Sequence, residues 1–145
     1  MLIHRRITTR APLETVFEYL ADFTSTTEWD PGTVTTTRVS GDGGLGTVYA
    51  NVSRFLGRET QLRYVVEDYV PNSRISLRGE NSTVVAHDTI SVVPETGGWT
   101  QVDYQADFSF KGLAKFAAPF LRPAFQRLGD EAAVGLHGAL DRLPA

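Results

Sequence analysis

The sequence predicts an α+β fold: a curved antiparallel sheet of about seven strands wrapped round a long C-terminal helix, with two short helices after strand 1. Three observations carry this. Between Thr33 and Phe110, β-branched and aromatic residues are cut by Gly, Pro and Asn into short runs, the spacing of a meander and not of βαβ units. From Leu121 to Leu143, apolar residues recur at steps of three or four, the mark of a helix with one buried face. A chain of 145 residues, 41% hydrophobic and 21% charged, makes one globular domain (1–145) large enough to build a core and enclose a cavity.

Leu2 to Thr9 is short, β-branched and bounded by Ala11-Pro12, and reads as the first strand. Pro12 suits a first helical turn, where its missing N–H would be unpaired anyway. Leu13, Val16, Phe17 and Leu20 then form an apolar helical stripe, with Glu14 and Glu18 off it. Asp22 to Asp30 is polar apart from Phe23 and Trp29 and is expected as a short second helix or ordered turn, ended by Pro31-Gly32. Six strands are expected at 33–40, 46–55, 59–69, 73–80, 83–93 and 99–110. In the last of them Val102, Tyr104, Ala106 and Phe108 alternate with Asp103, Gln105 and Asp107, so one face is buried and one is wet. The inward face of 47–55 and 60–69 is left open by weak alternation. In the C-terminal stripe of Leu121, Phe125, Leu128, Ala132, Leu136, Leu140 and Leu143, Pro119 and Pro123 should disturb the start. The regular helix is therefore expected from near Pro123.

Composition excludes several functions. With 14 Lys and Arg against 17 Asp and Glu, the net charge is −3, so the chain as a whole lacks the basic character that nucleic-acid or anionic-membrane binding uses. No nucleic-acid partner and no stable membrane insertion are expected. The absence of cysteine excludes disulfides, thiolate catalysis and zinc fingers. The N-terminus lacks an apolar leader region and no apolar run approaches a membrane span, so a cytoplasmic location is expected. Gly41-Asp-Gly43-Gly-Leu-Gly46 spells a dinucleotide fingerprint, but strand follows it where a helix is required, so it reads as a hairpin loop. His4, His87 and His137 are far apart and in no ligand-like spacing, so neither a metal nor a cofactor is expected.

Several segments carry a resemblance. Ile7-Thr-Thr-Arg-Ala-Pro12-Leu-Glu-Thr-Val16-Phe17-Glu-Tyr-Leu20-Ala-Asp22 resembles the opening of polyketide cyclase/dehydrase-like proteins, members of the START and birch-pollen-allergen (SRPBCC) superfamily. Trp29-Asp30-Pro31 resembles that family's W-x-P. Val65-Val-Glu-Asp-Tyr-Val-Pro71-Asn-Ser-Arg74-Ile75 resembles V-x-E-x-x-P-x-x-R-I, and Gly97-Gly-Trp-Thr100-Gln-Val102 resembles G-G-x-T-x-V. The ordered set spans the whole chain. It implies the helix-grip fold and a hydrophobic cavity between sheet and long helix that takes a lipid, sterol or polyketide-like molecule. It does not choose among the functions this superfold hosts.

The candidate ligand-binding residues are Tyr104, Asp88, Tyr64, Asn51, Trp29, Phe108, Phe116 and Phe120. If Ile90 and Val92 face the cavity, Asp88 shares their side and His87 points out. Asp88 is then either a buried carboxyl with a raised pKa or an ion-paired strand residue. Tyr104 is either a ligand contact or a core residue with a satisfied hydroxyl. Phe108, Phe110, Phe116, Phe120 and Phe125 gather near the start of the long helix, as a mobile lid or a fixed cap. Arg74 reads as a structural partner for a carboxylate. No catalytic triad, phosphate loop or activated nucleophile is visible. The leading expectation is binding of a small hydrophobic molecule. The alternatives are a polyketide cyclase or dehydratase using Asp88 or Tyr104 for acid–base chemistry, and a protein-interaction module. Oligomeric state is not legible.

Overall fold

The computed structural model describes residues 1–144. Strand β1 (Leu2–Thr9) leads into helix α1 (Leu13–Ala21), a 3-10 turn (Phe23–Ser25) and the single-turn helix α2 (Thr26–Trp29). Six strands follow: β2 (Thr33–Ser40), β3 (Val48–Phe55), β4 (Arg58–Val70), β5 (Arg74–Glu80), β6 (Val84–Glu95) and β7 (Trp99–Phe110). Helix α3 (Ala114–Asp141) closes the chain. Every strand pairing is antiparallel and the order is β1-β7-β6-β5-β4-β3-β2. Only the β1–β7 pairing joins strands distant in sequence, so the rest of the sheet is a simple meander.

The breakers act as their chemistry dictates. Gly41 and Gly43, at φ of 95° and 102°, hold the β2–β3 loop in a conformation that side chains resist, so the fingerprint-like glycines are a hairpin connection. A register shift between Val66 and Asp68 leaves an extra residue in the 13-residue β4 and bends it. In β6, Ala86, Asp88, Ile90 and Val92 are buried and His87 is exposed. The strands whose inward face was open resolve as Tyr49 and Asn51 inward on β3 and Leu62, Tyr64 and Val66 inward on β4. Arg74 does pair with a carboxylate, Nε to Asp68 Oδ2 at 2.6 Å.

Helix α3 begins earlier than expected. It starts at Ala114 and runs through Pro119 and Pro123. None of residues 111–124 is fully buried, so the carbonyls that the two prolines leave unpaired can be hydrated, which removes much of the penalty of an interior proline. Beyond Pro123, Phe125, Gly129, Ala132, Leu136, Ala139 and Leu140 turn inward. Two glycines let the helix come close. A Cβ on Gly129 would stand 2.6 Å from Ile3 Cγ2 of β1, and one on Gly135 would stand 2.1 Å from the Trp29 carbonyl oxygen.

Candidate functional site

A cavity of about 290 Å³ lies between the sheet and α3. Register explains its floor. Val66, Leu77, Asp88, Ala106 and Ile3 are successive cross-strand partners and so share one face, which puts a carboxyl in an otherwise apolar row, and Asp88, Ala106 and Ile3 of that row line the cavity. In the neighbouring row, Tyr64 stands opposite Gly79, and a Cβ at 79 would lie 2.5 Å from the Tyr64 ring, so the glycine is what lets that ring lie flat across β5. Small residues on both walls, Ala106 below and Gly129 and Ala132 above, leave the space open. Phe23, Tyr64, Tyr104, Phe108 and Phe125 supply aromatic walls, and Phe125 packs 4.4 Å from Phe55 and 4.9 Å from Phe108 between ring centres. Arg54, Arg58 and Thr83 line the cavity while remaining exposed, so its mouth lies between the β3–β4 and β5–β6 hairpins.

The polar end is built on Asp88. The Tyr104 hydroxyl donates to Asp88 Oδ2 at 3.2 Å, whereas Asp88 Oδ1 is buried with no hydrogen-bond partner among the described residues. Burial raises the Asp88 carboxyl to about 7, the Tyr104 hydrogen bond pulls it down, and the nearby charge of Asp30 pushes it up. The Tyr104 and Tyr64 phenols are held well above 10, first by burial and then by the charge of Asp88. Trp29 fixes Tyr104 from behind, its ring edge-on at 5.5 Å while its Nε1 donates to Ser25 Oγ.

Asn51 contributes differently. Its Oδ1 accepts from Ser53 Oγ at 2.7 Å and its Nδ2 donates to Thr36 Oγ1 at 2.9 Å. The Thr26 hydroxyl is committed to the Phe23 carbonyl, so Thr36 donates to Thr26 in turn. This chain of hydrogen bonds ties the turn after α1 to the sheet edge and uses most of the amide's capacity.

Five of the eight candidate residues, Tyr104, Asp88, Tyr64, Asn51 and Phe108, therefore line one cavity. Trp29, only 1% exposed, lies one layer behind them. Phe116 and Phe120 do not line it and are 73% and 84% exposed. The reason is helical phase: Phe120 and Phe125 are five residues apart, about 140° round the helix at 100° per residue, so they cannot share a face. Asp30 was not singled out as a site residue in the sequence. Its Oδ1 accepts from the Gly32 N–H and its Oδ2 from the Thr33 hydroxyl, and burial raises its pKa against both bonds. The Asp-Pro-Gly-Thr turn was readable, but nothing local says that the turn looks into the cavity. His4 and His137 are spoken for by Asp103 and Asp141, and no group of three metal-ligating side chains occurs among the described residues.

The profile of the family "Polyketide cyclase / dehydrase and lipid transport" matches residues 2–143. The chain belongs to this family. Solved structures similar to it include the Zhui aromatase/cyclase from Streptomyces sp. R1128, at TM-score 0.82 and 18% identity over 98% of this chain and 94% of that one. A START superfamily protein from Mycobacterium smegmatis matches at TM-score 0.80 and 15% identity over 97% of each chain. The protein TTHA0849 from Thermus thermophilus gives the same TM-score at 14% identity, again over 97% of each. These likenesses establish the helix-grip fold of this family member. No curated protein matches its sequence. Among the described residues, no helix of this polyketide cyclase/START-like chain is long and apolar enough to cross a membrane.

Proposed function

We propose that this protein binds one small hydrophobic molecule of lipid, sterol or polyketide-like character in the cavity, oriented by Asp88. The observation that carries the reading is Asp88 Oδ1, a buried polar atom without a partner at the end of an aromatic-walled space. A buried unpaired carboxyl oxygen costs free energy that a ligand hydroxyl or carbonyl would recover. Aromatic walls with one or two placed polar groups are the usual make-up of a small-molecule pocket. Tyr64 and Tyr104 contribute flat contact surface, and Phe108 and Phe125 close the opposite side.

One feature favours a second reading. A carboxyl titrating near neutrality with a free oxygen is suited to proton transfer on a bound ketone, as in a cyclase or dehydratase step. The two readings separate in one experiment. The protein is titrated with the fluorescent probe 1-anilinonaphthalene-8-sulfonate, and the probe is displaced with a fatty acid, a sterol and a hydroxylated aromatic ketone. Displacement with slow or no consumption of the ketone, weakened at least about tenfold by Gly79→Leu (which drives Tyr64 into the cavity), supports binding. Turnover of the ketone that Asp88→Asn abolishes supports catalysis. Failure of every compound to displace the probe refutes both.

A further inference from the structure

We propose that the ligand of this cavity carries a protonated amine, seated between Asp88 and Asp30, with its apolar body along the aromatic walls. The inference rests on the cavity-binding reading above and names the class of molecule. Two carboxyls from distant parts of the chain, one on β6 and one in the turn after α2, line the same cavity. The Asp30 charge acts on Asp88, and both charges act on the Tyr64 and Tyr104 phenols, so the four groups surround one end of the space. Each carboxyl has acceptor capacity to spare. Asp88 is 4% exposed, and its Oδ1 has no partner among the described residues. Each Asp30 oxygen accepts one bond, from the Gly32 N–H or the Thr33 hydroxyl, and an ionised carboxylate oxygen has a second lone pair to offer.

Positive charge is what this end of the cavity lacks. Asp88 answers to its burial, to the Tyr104 hydroxyl and to Asp30, and Asp30 answers to its burial and to its bonds from Gly32 and Thr33; no cation holds either one down. The cations that line the cavity, Arg54 and Arg58, stand exposed at its mouth, where Glu59 holds Arg54 at 2.8 Å. A buried carboxylate without a counter-ion is costly, and a ligand that brings the counter-ion recovers that cost. A hydroxyl supplies one hydrogen bond and leaves both charges uncompensated, and a ligand carboxylate adds a third negative charge. An ammonium brings N–H donors and a full positive charge to the same oxygens. The rings of Tyr64 and Phe23, 4.9 Å apart between centres, line the same cavity and favour a cation over an anion against their faces. A metal ion fits less well, since no group of three metal-ligating side chains occurs among the described residues.

The test is titration calorimetry of the full chain with decylamine, decan-1-ol and decanoic acid, which share one alkyl chain and differ in the charge of the head. The measurement is made at about pH 8, where the Asp88 carboxyl, titrating at about 7, and the alkyl amine are both charged. Decylamine should bind at least about tenfold tighter than decan-1-ol, and decanoic acid should bind weakest. Asp88→Asn keeps an acceptor for the Tyr104 hydroxyl and removes the charge, so its thermal midpoint should be no lower than that of the wild type. It should weaken decylamine at least about tenfold, leave decan-1-ol within about threefold and strengthen decanoic acid. Gly79→Leu, which drives Tyr64 into the cavity, should abolish decylamine binding. Decan-1-ol binding as tightly as decylamine, or decylamine affinity unchanged in Asp88→Asn while decan-1-ol still binds, overturns the amine assignment and leaves the cavity reading standing. Decylamine binding that survives Gly79→Leu assigns the amine to the protein surface and also overturns it. Binding of none of the three compounds overturns the cavity reading along with it.

Discussion

Replacing Asp88 by Asn should make this protein more stable at neutral and alkaline pH. An unfolded aspartate ionises around 3.8, whereas burial holds the folded Asp88 carboxyl up to about 7. Between these values the unfolded chain binds fewer protons than the folded one, so wild-type stability falls as pH rises from about 4 and levels off above about 7. The gap is roughly three pKa units, and at about 1.4 kcal/mol each the ionised carboxylate costs the fold about 4 kcal/mol at pH 8. Asn carries no charge in either state and still accepts from Tyr104, but its amide N–H groups inherit the unpartnered position of Oδ1, at about 1 kcal/mol. The net gain at pH 8 is therefore about 3 kcal/mol, and it should vanish by pH 4. The groups facing Asp88 are Tyr104, Tyr64 and Asp30. The two phenols stay neutral throughout, and Asp30 remains in both proteins, so subtracting the curves isolates Asp88. Glu80, lowered from 4.5 to about 2 by Arg78 and Lys111, gives its full contribution above 4.5 and begins to lose it at the acid end of the window, but it is present in both proteins and cancels in the difference. Urea denaturation of both proteins at pH 4 to 8 reads the difference. A wild-type-minus-variant difference that stays flat or rises with pH across this range would refute the reasoning.

Two further outcomes follow from the same geometry. Tyr104→Phe removes the one hydrogen bond that lowers the Asp88 carboxyl, so carboxyl carbon NMR should show its titration moving above about 7; movement downward would contradict the assignment of that bond. Gly135→Ala puts a methyl 2.1 Å from the Trp29 carbonyl and should cost about 3 kcal/mol in chemical denaturation, whereas Gly138→Ala, which meets only the end of Arg142 at 3.4 Å, should be neutral or stabilising by up to about 1 kcal/mol. Equal effects at the two glycines would show that α3 does not rest on the Trp29 backbone.

The architecture was legible in the linear chain because period and punctuation are local. Alternation along 99–110, the Ala-Pro start of α1 and the three-and-four spacing after Leu121 each report a backbone geometry that neighbours in sequence impose on one another. Even the inward face of β6 followed from two residues, since Ile90 and Val92 commit Asp88 to their side. Three things were not local. Cross-strand register placed Asp88 beside Ala106 and Tyr104 beside Ile90, and so created the carboxyl–phenol pair. The docking of α3 decided that Phe125 closes the cavity while Phe116 and Phe120 face out, a question of helical phase relative to a surface that aromatic clustering in sequence does not contain. The turn after α2 brought Asp30 into the same space. Desolvation and field strength depend on what surrounds a group in three dimensions, so sequence could nominate a carboxyl on a buried face, and only the packed structure could give it a partner on one oxygen and none on the other.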